Sequence, residues 1–152
     1  MSPSPDLFHQ NILGNLYFII RSYLEQHQTG SVYLAPSDVH LTDLNVYQPD
    51  LYFVSNARKS ILSAQGAEGA PDLVAEILSP KTARFDKGVK REVYARTGVK
   101  ELWIIDPALR EIQVYHLTAS SDVPAATLGE EKQIESALLP GLRIPLKEIF
   151  RQ

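Results

Sequence analysis

The sequence contains no cysteine among its 152 residues, which excludes a disulfide framework, a thiolate metal site and a cysteine nucleophile. This absence suits a reducing cytosol, and we expect a cytoplasmic protein. The N-terminus lacks the basic and apolar regions of a signal peptide, and no apolar run approaches the roughly 20 residues that a membrane span needs. The formal net charge of -3 argues against indiscriminate binding of polyanions.

The hydrophobic content of 44% and the charged content of 22% are ordinary for a globular protein. At this length we expect a single domain over 1–152. The hydrophobic periodicity predicts two main helices, at 6–28 and 84–97, and a short helical end within 144–150. Strands are predicted at 31–36, 38–41, 46–54, 69–80, 101–105, 112–117 and 133–137, with a polar connection over 55–68. This order predicts a mixed α/β or α+β sheet with flanking helices.

The stretch 69–80 reads as a central strand covered on both faces, because its apolar run is nearly continuous between two turn signals. Glu76 interrupts that run. A buried carboxylate without a partner costs several kcal/mol, so a basic side chain, N–H donors or a metal ion must compensate it. Asp72 lies on the same strand face but about 13 Å away, too far to share an ion with Glu76. We therefore interpret Asp72 as a residue that caps the start of the strand.

Two further residues can meet Glu76. Asp50 follows Pro49 in the strand predicted over 46–54, which we expect to neighbour the central strand. Lys90 lies beside the predicted buried stripe of the second helix (Phe85, Val89 and Val93), and it can point toward the sheet. Two carboxylates, with the Ile77 carbonyl as a third oxygen, would form a site for Mg²⁺ or Mn²⁺. The plainer interpretations are a turn-capping aspartate and a surface pair between Asp86 and Lys90.

The segment 81–100 carries seven basic and two acidic residues, a local charge of +5 directly after the central strand. Such a cluster is either a solvated helix face or a surface that binds phosphate groups. The candidate nucleic-acid contacts in it are Lys81, Arg84, Lys87 and Arg91.

Three motifs resemble the putative restriction endonuclease family of the PD-(D/E)XK nuclease superfamily. The first is Gly-Ala-Pro-Asp-Leu-Val-Ala-Glu-Ile-Leu-Ser-Pro at 69–80. The second is Asp86, Lys90 and Tyr94 at spacings of four, followed by Gly-Val-Lys-Glu-Leu-Trp-Ile-Ile-Asp-Pro at 98–107. The third is Leu-Leu-Pro-Gly-Leu-Arg-Ile-Pro at 138–145.

The resemblance implies a restriction-endonuclease-like fold and a metal-dependent DNA endonuclease. Asp50 and Glu76 would be the metal ligands. The position two after Glu76, where the superfamily usually has lysine, is Leu78, and the lysine role passes to Lys90 on the helix. His9 and Tyr94 match recurrent family positions and are supporting candidates. By analogy with nucleases of this fold, we expect a homodimer.

Longer members of the family carry a further strand pair, with a glutamate, before the Pro/Ser-rich stretch in which this sequence begins. Two other functional classes therefore stand beside the nuclease. One is a catalytically degenerate module of the same fold that binds nucleic acid or protein. The other is a buried Glu76–Lys90 ion pair with a structural role only.

Overall fold

The computed structural model describes residues 6–79 and 83–152, excluding the side chains of 83–87. In chain order the elements are helix α1 (Leu7–Gln26), β1 (Gly30–Leu34), β2 (Asp38–Thr42), β3 (Asn45–Tyr47), β4 (Leu51–Ser55), a 3-10 helix (Asn56–Ile61), β5 (Leu62–Ser63), β6 (Gly66–Glu68), β7 (Leu73–Ile77), α2 (Ala83–Thr97), β8 (Glu101–Asp106), β9 (Glu111–His116), β10 (Ala126–Leu128), β11 (Gln133–Glu135), β12 (Arg143–Pro145) and α3 (Leu146–Ile149).

The main sheet has the strand order β1-β4-β7-β8-β9-β10. Strands β7 and β8 are parallel and connected through α2, whereas β4 pairs antiparallel with β7 and β9 antiparallel with β8. A smaller sheet follows the order β3-β2-β6-β5, and β11 pairs with β12. This mixed sheet with flanking helices confirms the fold class predicted from the sequence.

Strand β7 lies in the middle of the main sheet, and both of its faces are covered. Leu73, Ala75 and Ile77 belong to the apolar cluster that α1 covers, whereas Val74 belongs to the cluster that contains Tyr94 of α2. The alternation places successive side chains on opposite faces, and both faces are dry. The prediction of a central strand covered on both sides is confirmed.

Helix α1 begins at the predicted cap, where the Asp6 carboxylate accepts the backbone N–H of His9 at 2.7 Å. Its apolar side packs on the main sheet through a row of buried residues, Ile12, Leu16, Ile20, Tyr23 and Leu24. None of the helices within the described ranges is long and apolar enough to cross a membrane.

The single strand predicted over 46–54 is wrong. The structure divides it into β3, which pairs with β2 in the smaller sheet, and β4, which pairs with β1 and β7 in the main sheet. Pro49 lies between them, and its missing N–H favours such a break. The polar connection 55–68 also contains more than a helical turn, because β5 and β6 complete the smaller sheet.

The predicted buried stripe of the second helix is wrong at one position. Val89 is 60% exposed, whereas Val93 and Tyr94 are buried. The buried face of α2 therefore includes Tyr94 and the side of Lys90 in place of Val89, because the smaller sheet also packs against the helix. The side chains of Phe85 and Asp86 lie outside the described residues.

Asp72 directly precedes β7, and its fully buried side chain is held by two contacts. One carboxylate oxygen accepts the backbone N–H of Ser55 at 2.7 Å, and the other lies 3.0 Å from Nζ of Lys100. Burial alone would raise the pKa of Asp72, but the hydrogen bonds from Ser55 and Lys100 outweigh it and lower the pKa below its ordinary value. Asp72 therefore connects the start of β7 to the end of β4 and to the residue before β8.

We expect Asp72→Ala to reduce the free energy of unfolding by about 2–3 kcal/mol, because it leaves the Ser55 N–H without its acceptor in a buried place. Since the folded-state pKa is lowered, the ionised carboxylate stabilises the fold above the unfolded pKa of about 4. That contribution is lost as the pH falls through the folded-state pKa. Denaturant unfolding at pH 7 and pH 3 should show a difference from wild type that shrinks at the lower pH.

Candidate active site

The register between β4 and β7 brings Asp50 and Glu76 together. Leu51 pairs with Ala75, so the next position on each strand is Asp50 and Glu76. Each carboxylate also accepts a backbone N–H from across the pair. The N–H of Asp50 donates to Oε1 of Glu76 at 3.3 Å, and the N–H of Ile77 donates to Oδ2 of Asp50 at 2.7 Å. The two head groups therefore occupy one place at the end of β7.

The third predicted oxygen, the Ile77 carbonyl, is on the same side. In a strand the N–H and C=O of one residue point toward the same neighbour. Because the Ile77 N–H bonds Asp50 across the strand pair, its carbonyl faces the side of the strand where Asp50 lies. The structure thus brings Asp50, Glu76 and the Ile77 carbonyl to a common edge of the sheet.

Lys90 reaches this edge from α2. Its Nζ lies 3.3 Å from Oε2 of Glu76 and 5.4 Å from the centre of the Tyr47 ring. The Glu76 side chain is 14% exposed and the Lys90 side chain 26%, so the pair is largely buried. An ammonium over an aromatic face is attracted electrostatically, and Tyr47 therefore helps to hold Lys90 in place.

The electrostatics of Glu76 are unusual for a glutamate. Burial raises the pKa of Glu76 to about 7, the ammonium of Lys90 opposes that rise, and the Asp50 carboxylate adds to it. Two adjacent carboxylates in a place with little water repel each other. A divalent cation would balance the negative charge of both carboxylates, which the single charge of the Lys90 ammonium cannot do.

His9 approaches Asp50 from the first turn of α1. Its Nε2 lies 3.5 Å from Oδ1 of Asp50, and its side chain is only 13% exposed. The hydrogen bond to Asp50 raises the pKa of His9, although burial opposes the rise. The two residues predicted to support the site are placed differently, since His9 contacts the Asp50 carboxylate whereas Tyr94 is fully buried and packs against the Tyr47 ring.

Tyr47 belongs to the site although the sequence patterns do not point to it. Its ring makes an edge contact with Tyr94 at 5.6 Å between ring centres and lies beneath Lys90. The only sequence signal is an aromatic residue three positions before Asp50. Within a single strand over 46–54, that aromatic residue has no evident role at the site.

Of the predicted nucleic-acid contacts, Lys81 and the side chains of Arg84 and Lys87 lie outside the described residues. Arg91 is held by the fold, with Nη1 donating to the Tyr115 hydroxyl at 3.1 Å and the guanidinium 4.8 Å from the Tyr115 ring centre. Its predicted contact with phosphate stays a prediction, as do the other three.

The donors at this edge fit a small divalent cation. Within residues 6–79 and 83–152, no group of three or more His, Cys, Asp or Glu side chains could hold a metal ion. Mg²⁺, however, is usually bound through only one or two carboxylates and keeps several water molecules. Two mutually repelling carboxylates and a carbonyl match that requirement, so Asp50, Glu76 and Ile77 are the residues that would hold such an ion.

A comparison with protein families matches residues 1–147 to Uma2, described as putative restriction endonuclease. This chain belongs to the Uma2 family. The resemblance seen in the three motifs is thereby confirmed, and membership of Uma2 supports a nuclease. No curated protein matches the sequence.

Among solved structures, this Uma2 chain is similar to the crystal structure of a putative nuclease belonging to DUF820 from Anabaena variabilis. The two share 19% sequence identity at a TM-score of 0.79, and the match covers 99% of this chain and 84% of the other. At that identity the similarity establishes the fold. The roles predicted for Asp50, Glu76, Lys90, His9 and Tyr94 stay predictions.

Proposed function

We propose that this chain is a Mg²⁺- or Mn²⁺-dependent DNA endonuclease that hydrolyses phosphodiester bonds. The observation that supports this most strongly is the convergence of Asp50, Glu76 and Lys90 from three separate elements on one edge of the sheet. A structural ion pair would need only Glu76 and Lys90. It would not require a second carboxylate that raises the pKa of the first.

Asp50 and Glu76, with the Ile77 carbonyl, would hold the ion. When bound, the ion supplies Lewis-acid stabilisation of negative charge on the phosphate. His9 holds the Asp50 carboxylate in its orientation through Nε2. The Lys90 ammonium orients the attacking water and stabilises the charge that develops on the phosphate oxygens. Hydrolysis forms a bond from the water oxygen to phosphorus and breaks the bond to the leaving sugar oxygen. The attacking water loses a proton to solvent and the sugar oxygen takes one from solvent, which leaves a terminal phosphate and a sugar hydroxyl.

The DNA partner would be bound by the four candidate contacts Lys81, Arg84, Lys87 and Arg91, which follow β7 in the sequence. Binding through phosphate contacts should weaken steeply as the salt concentration rises. Cleavage of both strands would be achieved most simply by two copies of the site, and a homodimer stays our expectation.

Nicking of supercoiled plasmid tests the proposal. The purified protein should convert plasmid to open circles with Mn²⁺ or Mg²⁺, lose this activity in EDTA and regain it when Mn²⁺ is added back. Asp50→Asn should abolish the activity and weaken Mn²⁺ binding, measured separately by calorimetry, by about 10- to 100-fold or more.

Two results would contradict this proposal. Nicking that survives in Asp50→Asn would show a contaminating nuclease. Salt-sensitive DNA binding without turnover in any divalent ion would favour the degenerate binding module in its place.

A further inference from the structure

A cleft of about 640 Å³ lies at the opposite end of β8 from the edge that carries Glu76. Its walls come from the start of β8, the end of β9 and the connection between β11 and β12. The polar side chains that line it include Lys100, Glu101, His116, Ser136 and Arg143, and Leu138 adds apolar surface. The volume is within the range of sites that bind small molecules.

The buried carboxylate of Glu101 lines this cleft, with its side chain only 6% exposed. One oxygen accepts the indole N–H of Trp103 at 2.6 Å, and the Ser136 hydroxyl also donates to the carboxylate. Burial raises the pKa of Glu101, and these hydrogen bonds oppose the rise. Both donors are neutral, so they solvate the negative charge without balancing it.

The basic residues of the cleft leave that charge largely uncompensated. Lys100 is paired with Asp72 at 3.0 Å, and Arg143 is paired with Glu135 at 3.2 Å. Only His116, among the basic side chains that the structure describes, lies within ion-pair distance of Glu101. Its Nε2 is 3.6 Å away, and it is charged only when protonated. The cleft thus offers a carboxylate that a bound cation would complement.

We propose that this cleft is a binding site for a small organic cation, an ammonium group carried on a short aliphatic chain. The ammonium would bind the Glu101 carboxylate, and the aliphatic chain would lie against the apolar wall at Leu138 and Leu142. A buried, hydrogen-bonded carboxylate beside apolar surface suits this chemistry, because charge-assisted hydrogen bonds strengthen where water is scarce. This site is separate from the nuclease proposal and does not depend on it.

Trp103 is the only tryptophan of the chain, and its indole N–H contacts the carboxylate in question. Its single indole resonance in a ¹H–¹⁵N spectrum therefore reports on Glu101. Titration of the full chain with n-butylammonium chloride at pH 8 and constant ionic strength should shift this resonance saturably, with a Kd of about 1 mM. The matched neutral probe, 1-butanol, should bind at least tenfold more weakly.

Glu101→Gln keeps the size of the side chain and a hydrogen-bond acceptor, and it should weaken n-butylammonium binding at least tenfold. The comparison of the two probes uses only the natural chain, so it remains decisive if that variant does not fold. Equal affinity for the amine and the alcohol, or no saturable shift of the indole resonance, would overturn the proposal. So would unchanged amine affinity in a folded Glu101→Gln.

Discussion

Glu76→Gln is expected to slow metal-dependent DNA cleavage by about 10³-fold. The substitution keeps the side chain's size and an oxygen that can accept the Asp50 N–H, but it removes the negative charge that would hold the cation. Single-turnover cleavage of a labelled duplex with saturating Mn²⁺ measures the rate. Calorimetry should show Mn²⁺ affinity falling with it.

The loss of activity should not come from unfolding. The pKa of Glu76 is raised to about 7, so ionisation of this carboxylate in the folded state costs stability once the pH exceeds the unfolded-state value. The free energy of unfolding contributed by Glu76 therefore falls between about pH 4.5 and pH 7 and stays low above that range. In metal-free buffer at pH 8, Glu76→Gln should be at least as stable as the natural protein.

Asp72→Asn is the matched control, since it neutralises another largely buried acid four positions away in the sequence. Asp72 contacts Ser55 and Lys100, away from the metal edge. This variant should lose stability and keep its cleavage rate when assayed folded. Equal loss of activity in both variants, or retained activity in Glu76→Gln, would contradict the proposal that Glu76 holds the metal ion.

Lys90→Met should reduce the cleavage rate by about 10²-fold, because it removes the positive charge that stabilises the developing negative charge. Methionine keeps most of the aliphatic length that packs near Tyr47. The Mn²⁺ affinity should remain the same or rise, since a cation that repels the metal is removed. A lower rate constant with retained metal binding is the signature that separates Lys90 from Glu76.

Lys100→Met provides the comparison, because Lys100 also pairs with a buried carboxylate but lies away from Asp50 and Glu76. The Lys100 side chain is half exposed, so its ion pair with Asp72 should contribute about 1 kcal/mol or less to the free energy of unfolding. The cleavage rate should be that of the natural protein. Equal losses in both lysine variants would indicate a general effect of charge on DNA binding and contradict a specific role for Lys90.

The architecture was largely predictable from the sequence because its strongest signals are local. The apolar run around Val74 lies in the central strand, and the Asp6 cap starts the first helix. Pro49 permits a break in the strand predicted over 46–54, but only tertiary pairing assigns β3 and β4 to different sheets. The exposure of Val89 depends likewise on how the smaller sheet packs against α2.

The convergence of Asp50, Glu76 and Lys90 could be predicted from the sequence, whereas the contacts around them could not. A carboxylate within an apolar run signals Glu76, and the motif spacing signals Lys90. The aromatic residue at Tyr47 could not be assigned to the site, because its place beneath Lys90 depends on a strand pairing between β2 and β3 that sequence patterns do not specify. The contact between His9 and Asp50 likewise depends on the docking of α1 beneath the sheet.

Two hydrogen bonds from backbone to carboxylate, from the Asp50 N–H to Glu76 and from the Ile77 N–H to Asp50, separate the parts of this chain that can vary in length from those that cannot. Residues 56–71 connect β4 to β7 and include β5 and β6, and the exposed turn at 64–65 between those two strands can lengthen while the alignment of the two acids is preserved. One residue inserted within Leu51–Phe53 would shift one acid past the other and turn the strand's inward side chains to the opposite face. Homologues and engineered chimeras should therefore tolerate insertions in this turn and not within β4.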